Sequence, residues 1–369
     1  MKQGWVIKKI KDICDKASSN IAQNKIVELD GDYPVYGASG FVQNVDFYQR
    51  DTDYIGVVKD GSGVGRVNVY PAYSSLLGTL QYILPKEGYA LNYVAYALKS
   101  LNLASFAAGA AIPHIYFKDY GEVEIPVPPI EERERIVEEL DCLSGVIEKK
   151  REQLKELDAL AESIFYTMFG DPITNEKGWE VKKIGDVANS VNYGTSSPAN
   201  EDGQYTYIRM NNLTYSGYLD LNNVKKIDVS ENEIEKCVVR KGDILFNRTN
   251  SKDLVGKTAL FDLDEEMIIA GYIIRVRVNV DEVLPIYVVR YMNTPFMKTY
   301  FRNLCKGAVN QANINSKELK AIPILMPHIE LQQEFADKIE AIEKQKELIT
   351  QSITETEELF NSRMDYYFN

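Results

Sequence analysis

Two stretches of the chain carry apolar residues alternately four and three positions apart. In the first, Ile136, Leu140, Leu143 and Ile147 are followed by a lone Lys150, then by Leu154, Leu157, Ala161, Ile164 and Met168. The second reads Phe335, Ile339, Ile342, Lys346, Ile349, Ile353, Thr356 and Phe360. This spacing gathers the apolar positions on one stripe of a helix. Sustained over about four heptads with charged flanks, it predicts a coiled-coil seam in which the lone lysine sets register. Pro128-Pro129-Ile130-Glu131-Glu132 places proline at the entry of the first helix and carboxylates at the positive end of its dipole. Gly170-Asp171-Pro172 ends it. From Glu131 to Tyr166 the helix would run roughly 50 Å, longer than a module of this size is wide, which argues against a helix lying on its own module.

Between these stretches the pattern shortens to strand-like runs, among them Asp53–Val58, Gly78–Leu84 and Gly271–Val278, with short helices predicted around Asn92–Lys99 and Pro285–Met292. The chain also repeats itself. Trp5-Val6-Ile7-Lys8-Lys9-Ile10-Lys11-Asp12-Ile13 returns as Trp179-Glu180-Val181-Lys182-Lys183-Ile184-Gly185-Asp186-Val187, an offset of 174. Gly109-Ala110-Ala111 pairs with Gly307-Ala308-Val309, and Ile125-Pro126-Val127-Pro128 with Ile322-Pro323-Ile324-Leu325. There the offset is about 198, so the second copy holds extra loop residues. The plan is a module (1–127), a helix (128–170), a second module (171–325) and a second helix (326–369). Because the second module follows the first helix after a short link, its own helix must run back antiparallel. The expected class is α+β, with two mixed, strand-rich modules separated by two long antiparallel coiled-coil helices and related by an internal two-fold pseudo-repeat.

Composition fits a folded chain of more than one core: 369 residues, 45% hydrophobic and 26% charged. No apolar run reaches membrane-spanning length and the start lacks a signal-peptide pattern, so a cytosolic protein without membrane attachment is expected. The net charge of −12 looks hostile to nucleic acid until it is located. Residues 1–125 carry −1 and 171–325 carry 0, whereas 126–170 carry −5 and 326–369 carry −6. The modules are near neutral, so each can present a basic face. Cys14, Cys142, Cys237 and Cys305 have neither metal-pair nor disulfide-framework spacing, and His114 and His328 stand apart from them. No metal site, catalytic triad, phosphate-binding loop or dinucleotide fingerprint is expected.

Candidate chemistry lies in loops that combine Arg, Lys, Asn and Gly, the residue types that donate to guanine edges and phosphates, pair with adenine and let backbone approach a groove. In the first module this is Lys59-Asp60-Gly61-Ser62-Gly63-Val64-Gly65-Arg66, with Lys59, Ser62 and Arg66 as the candidates. In the second module they are Arg209 and Asn211, then Asn247, Arg248, Asn250 and Lys257, then Asn310, Gln311 and Asn313. Polar Gly/Asn loops also serve as plain turns. A coiled-coil scaffold that reads no DNA fits the helices equally well, but it leaves the recurrence of these loops unexplained.

The duplicated module, the paired heptad helices, Pro34-Val35-Tyr36-Gly37-Ala38-Ser39-Gly40, Lys241-Gly242-Asp243-Ile244-Leu245-Phe246-Asn247-Arg248-Thr249 and Ile125-Pro126-Val127-Pro128-Pro129-Ile130-Glu131-Glu132 together resemble the specificity subunit of Type I restriction-modification systems over essentially the whole chain. The resemblance implies two target-recognition domains, each reading half of a split double-stranded DNA site. It also implies that the helices act as spacer and as docking surface for two methyltransferase subunits, which restriction (translocase/endonuclease) subunits then join. The chain itself would be non-catalytic and hold no cofactor, with S-adenosylmethionine bound by the methyltransferase partner. A fused restriction enzyme would need further domains for which two repeats leave no room.

Overall fold

A computed structural model describes residues 4–109, 113–305 and 311–369. The chain divides into two compact units, residues 1–152 with 349–369 and residues 153–348, so that each long helix contributes to both.

In the first unit Val6–Lys9 pairs antiparallel with Glu124–Val127, and a helical turn, Ile10–Ile13, leads into a four-stranded antiparallel sheet. Its strands lie in the order Cys14–Ser18, Leu80–Pro85, Tyr54–Val58, Val67–Tyr70. Alternation along Tyr54–Val58 divides the core. Ile55 and Val57 pack with Ile83 and the helix Leu91–Ser100, whereas Tyr54 and Val58 pack with Tyr70, Leu76, Leu80 and Tyr82 on the other face. A smaller sheet, Gly40–Val45, Tyr33–Gly37, Ser75–Leu76, has one parallel pairing.

The second unit repeats this frame. Glu180–Lys183 pairs with Pro323–Met326, the turn Ile184–Val187 follows, and the sheet order is Ala188–Tyr193, Ile273–Val278, Asp243–Asn247, Thr258–Phe261. The companion sheet again holds one parallel pairing, Tyr205–Ile208 with Met267–Ile269. Helices at Leu91–Ser100 and Pro285–Met292 match the expected ones to within a residue. Glu231–Cys237 and Pro295–Leu304 are further helices with no distinct repeat in the sequence pattern.

The long helices are Ile130–Phe169 and Ile329–Phe368, 40 residues each. Gly170, at φ +78°, takes the left-handed conformation that ends the first. In the first unit Ile136, Leu140 and Ile147 are buried with Ile353, Met364 and Phe368, while Leu143, Lys150, Ile349, Thr356 and Phe360 are half-buried. Lys150 donates to Ser352 and Arg363 pairs with Glu139 at 2.7 Å, so the helices run antiparallel. In the second unit Ala161, Phe165 and Phe169 are buried with Phe335, Ile339 and Ile342, and Leu154 and Leu157 are half-buried. Here the strict heptad reading needs correction. Ile164 and Met168 are only half-buried, and Phe165 and Phe169 carry the stripe forward in steps of four. The reason is that this end of the helix enters a module core, where Phe165 and Phe169 meet Tyr287 at centroid distances of 6.0 and 4.8 Å. Met364 and Phe368 do the same in the first unit, with Phe368 at 5.6 Å from Tyr93.

Candidate nucleic-acid interface

Each module folds one loop corner with the same backbone bonds. In the first unit Val58 N donates to Arg66 O (2.9 Å), Gly65 N to Val58 O (2.8 Å), Lys59 N to Thr79 O (3.0 Å) and Ile115 N to Lys59 O (3.0 Å). In the second, Asn247 N donates to Lys257 O (2.8 Å), Gly256 N to Asn247 O (2.9 Å), Arg248 N to Tyr272 O (3.0 Å) and Ile314 N to Arg248 O (2.9 Å). Gly65 and Gly256 both sit at positive φ, +86° and +84°, where a side chain would strain the corner. Lys59 therefore occupies the place of Arg248, Arg66 that of Lys257, and the pair Asp60 and His114 that of Thr249 and Asn313.

The corners differ in charge. In the first, Lys59 forms a salt bridge to Asp60, whose carboxylate also contacts His114 Nδ1. Burial pushes the Asp60 pKa up, but Lys59 and His114 outweigh it and hold the carboxyl below its usual value. Ser62 and Arg66 are exposed, and Arg66 donates to Gly63 O and Ser62 O at 3.2 Å each. Beside them lies a cleft of about 700 Å³ whose lining includes Asn20, Gly37, Ser39, Ser62, Arg66 and Thr79.

In the second corner no carboxylate among the described residues forms a salt bridge with Arg248. The half-buried Arg248 guanidinium lies 4.9 Å from the Tyr193 ring centroid and donates to Gly271 O at 3.3 Å. Thr249 donates to Asn313 Oδ1 at 2.8 Å. Asn313 and Gln311 are exposed and Asn250 half-exposed. Arg209 donates to Asn223 O at 2.9 Å, next to an exposed Asn211. Asn310 lies outside the described residues.

Two candidates are structural rather than available to a ligand. Asn247 is 0% exposed. Its amide donates to Thr249 O and Tyr272 O at 3.1 Å each, and its Oδ1 accepts from Asn250 at 2.8 Å, so it braces the corner from within. Lys257 is 8% exposed. Its ammonium donates to Met210 O at 2.7 Å and to Leu213 O, and burial lowers its pKa. The structure also brings in residues that the loop compositions did not single out: Tyr193, the exposed Tyr272, Asp60 and His114. Tyr193-Gly194 and Gly271-Tyr272, each an aromatic beside a glycine at a strand end, carried the signal for the first two. Lys298, 3.5 Å from the Tyr215 ring centroid, is another; burial lowers its pKa to about 8. Among the described residues no group of His, Cys, Asp and Glu is arranged to hold a metal, and no helix is long and apolar enough to cross a membrane.

A family model described as the Type I restriction modification DNA specificity domain matches residues 2–159 and 176–358. The chain is 24% identical over 271 residues to the Type I restriction enzyme EcoKI specificity subunit of Escherichia coli (strain K12), covering 69% of this chain and 58% of that protein. It is 29% identical over 161 residues to a putative MjaX specificity subunit of Methanocaldococcus jannaschii, covering 43% of this chain and 38% of that protein. The matches thus span little more than half the length of the first relative and less of the second. In fold, the chain is similar to the crystal structure of a Type I restriction-modification S subunit from M. genitalium, with a TM-score of 0.63, 14% identity, and coverage of 99% of this chain and 96% of that one.

Proposed function

The chain belongs to the Type I restriction modification DNA specificity family, and on that premise we propose that it is the non-catalytic subunit that selects the DNA sequence for a restriction-modification complex in the cytoplasm. Each module reads half of a bipartite double-stranded site, and the observation that carries this reading is the shared corner, built by the same backbone bonds and presenting Lys59 in one module and Arg248 in the other. A half-buried arginine held over Tyr193 suits a guanine edge or a phosphate. Exposed Asn211, Gln311 and Asn313 suit adenine edges. The helices are the docking surface for two methyltransferase subunits, which the restriction subunits join. Apolar side chains left outside the helix pairs, such as Leu348 at 61% exposure, support that role. S-adenosylmethionine binds the methyltransferase partner, and this chain contributes no methyl-transfer chemistry.

Incubation with duplex DNA, S-adenosylmethionine and the methyltransferase partner, followed by mapping of methylated adenines, tests the proposal. The expected product is one split sequence motif, and the chain alone should leave adenines unmodified. Methylation by the isolated chain, or methylation of no defined motif with the partner present, would overturn it.

A further inference from the structure

The second module carries an insert that the first lacks. Where Ala38 and Ser39 alone join Tyr33–Gly37 to Gly40–Val45, residues 209–224 lie between Tyr205–Ile208 and Lys225–Ile227. The base of the insert is pinned by Asn212, which donates to Asp220 O at 2.9 Å and Asn223 O at 3.2 Å, and by the buried Lys257 ammonium. Farther along, Tyr218 reaches the second long helix. Its hydroxyl donates to Glu343 at 2.7 Å and accepts from Lys346 at 2.8 Å and Arg290 at 3.0 Å. Arg290 pairs with Glu343 at 2.6 Å, and Lys346 with Asp158 at 2.5 Å. The two cations lie 5.3 and 4.2 Å from the Tyr218 ring centroid. One phenol thus gathers two cations and a carboxylate from the helix Pro285–Met292 and the second long helix, and through Lys346 the first long helix. All of these groups lie within the second unit.

Lys346 is the lone lysine of its seam. Its counterpart Lys150 donates to Ser352 across the helix pair, and the first module has no insert to meet it. A half-buried set of charges is a poor choice for stability alone, since apolar residues of similar volume commonly do as well or better. What such a set supplies is direction, because charge-assisted hydrogen bonds fix an angle over which apolar contacts can slide. We propose that Tyr218 and Lys346 are positioning residues that lock the second module at one orientation on the helix pair, and so hold the complex to one spacing between its half-sites. The inference rests on the DNA-selecting role proposed above.

The test uses the full chain with its methyltransferase partner and duplexes carrying the mapped half-sites at the preferred gap and at one base pair more or less. Y218F and K346M are each expected to lower the preference for the native gap by about tenfold, through loss of hydrogen bonds to charged partners, with both half-site sequences unchanged. The double variant should be no worse than K346M, K346R should recover part of the preference, and K150M should leave it intact. An unaltered gap preference in folded Y218F and K346M complexes would overturn the lock, as would an equal effect of K150M. A changed base preference in one half-site would make the insert a reader instead. A wild-type complex that selects no sequence would overturn the DNA-selecting role itself, a result distinct from all of these.

Discussion

At matching positions of their sheets the two modules bury opposite chemistries. In the first, Ile55 pairs with Ile83 and Gly56 with Tyr82; in the second, Ile244 pairs with Val276 and Leu245 with Arg275. Tyr82 thus corresponds to Arg275, and Tyr54, one residue before Ile55, to Asp243. The first module fills this face with rings. Tyr54 lies 4.9 Å from Tyr82 and 5.8 Å from Tyr70, and its hydroxyl shares a hydrogen bond with Ser74 at 2.6 Å. The second buries Arg275, which donates to the Val238 and Glu235 carbonyls, and sets Asp243 against Arg277 with bonds of 2.7 and 3.1 Å. The frame is kept by backbone pairing and by the face that meets the helix, where Ile55 and Ile244 agree in type. The opposite face is free to change so long as its buried charges and hydroxyls are met, as Arg275 is through both terminal nitrogens and Asp243 through Arg277.

That contrast predicts a ranking. Asp243→Ala should cost about 3–5 kcal/mol in denaturant unfolding of the second module, because Asp243 is 3% exposed and its loss strands Arg277. Tyr54→Phe should cost only about 1 kcal/mol, one hydroxyl bond, in the first. Equal costs would mean that the two faces do not differ in kind. Asn247→Ala should lower stability by about 2 kcal/mol by leaving buried partners unmet, while the bases selected stay the same. A change of bases in methylation mapping would return Asn247 to the interface. For the two corners, Arg248→Ala should weaken DNA binding by about 1–3 kcal/mol and relax one half-site only. Lys59→Ala should cost less than about 1 kcal/mol, because Asp60 already offsets its charge. Competition binding with each half-site scrambled in turn measures both, and matching losses would erase the proposed asymmetry.

The smallest effect is one of pH. The Asp60 pKa is lowered in the folded chain: burial opposes this, and Lys59 and His114 outweigh burial. A carboxyl with a depressed folded pKa adds stability above its unfolded value, about 3.9, and loses it as the pH falls through the lower folded value. Acidification below about pH 4 should therefore lower the melting temperature of the wild-type first module more than that of Asp60→Asn. A steeper acid loss in the variant would show that Asp60 is not held by these partners.

The helices, the repeat and the strand frame were legible because each rests on periodicity, which burial imposes on a sequence directly. The corner residues were harder because residue type does not say which way a side chain points. Asn247 could have been placed: it shares parity with Asp243 and Leu245, and period-two alternation sends all three to one buried face. Lys257 could not, since its partners Met210 and Leu213 lie in an insert whose path depends on tertiary contacts. The shift from Ile164 to Phe165 arises in the same way, from a helix passing out of a two-stranded seam into a module core.

That passage also sets an order of events during synthesis. Met364 and Phe368, with Phe360 and Tyr367 beside them, complete a core whose other residues lie between Trp5 and Leu140, so the ribosome has made the second unit before the first can close. At about 5–20 residues per second the delay from Glu152 to Met364 is roughly 10–40 s. Throughout it the nascent first module exposes the apolar surface around Tyr93 that Phe368 will cover, and chaperones have that interval in which to shield it.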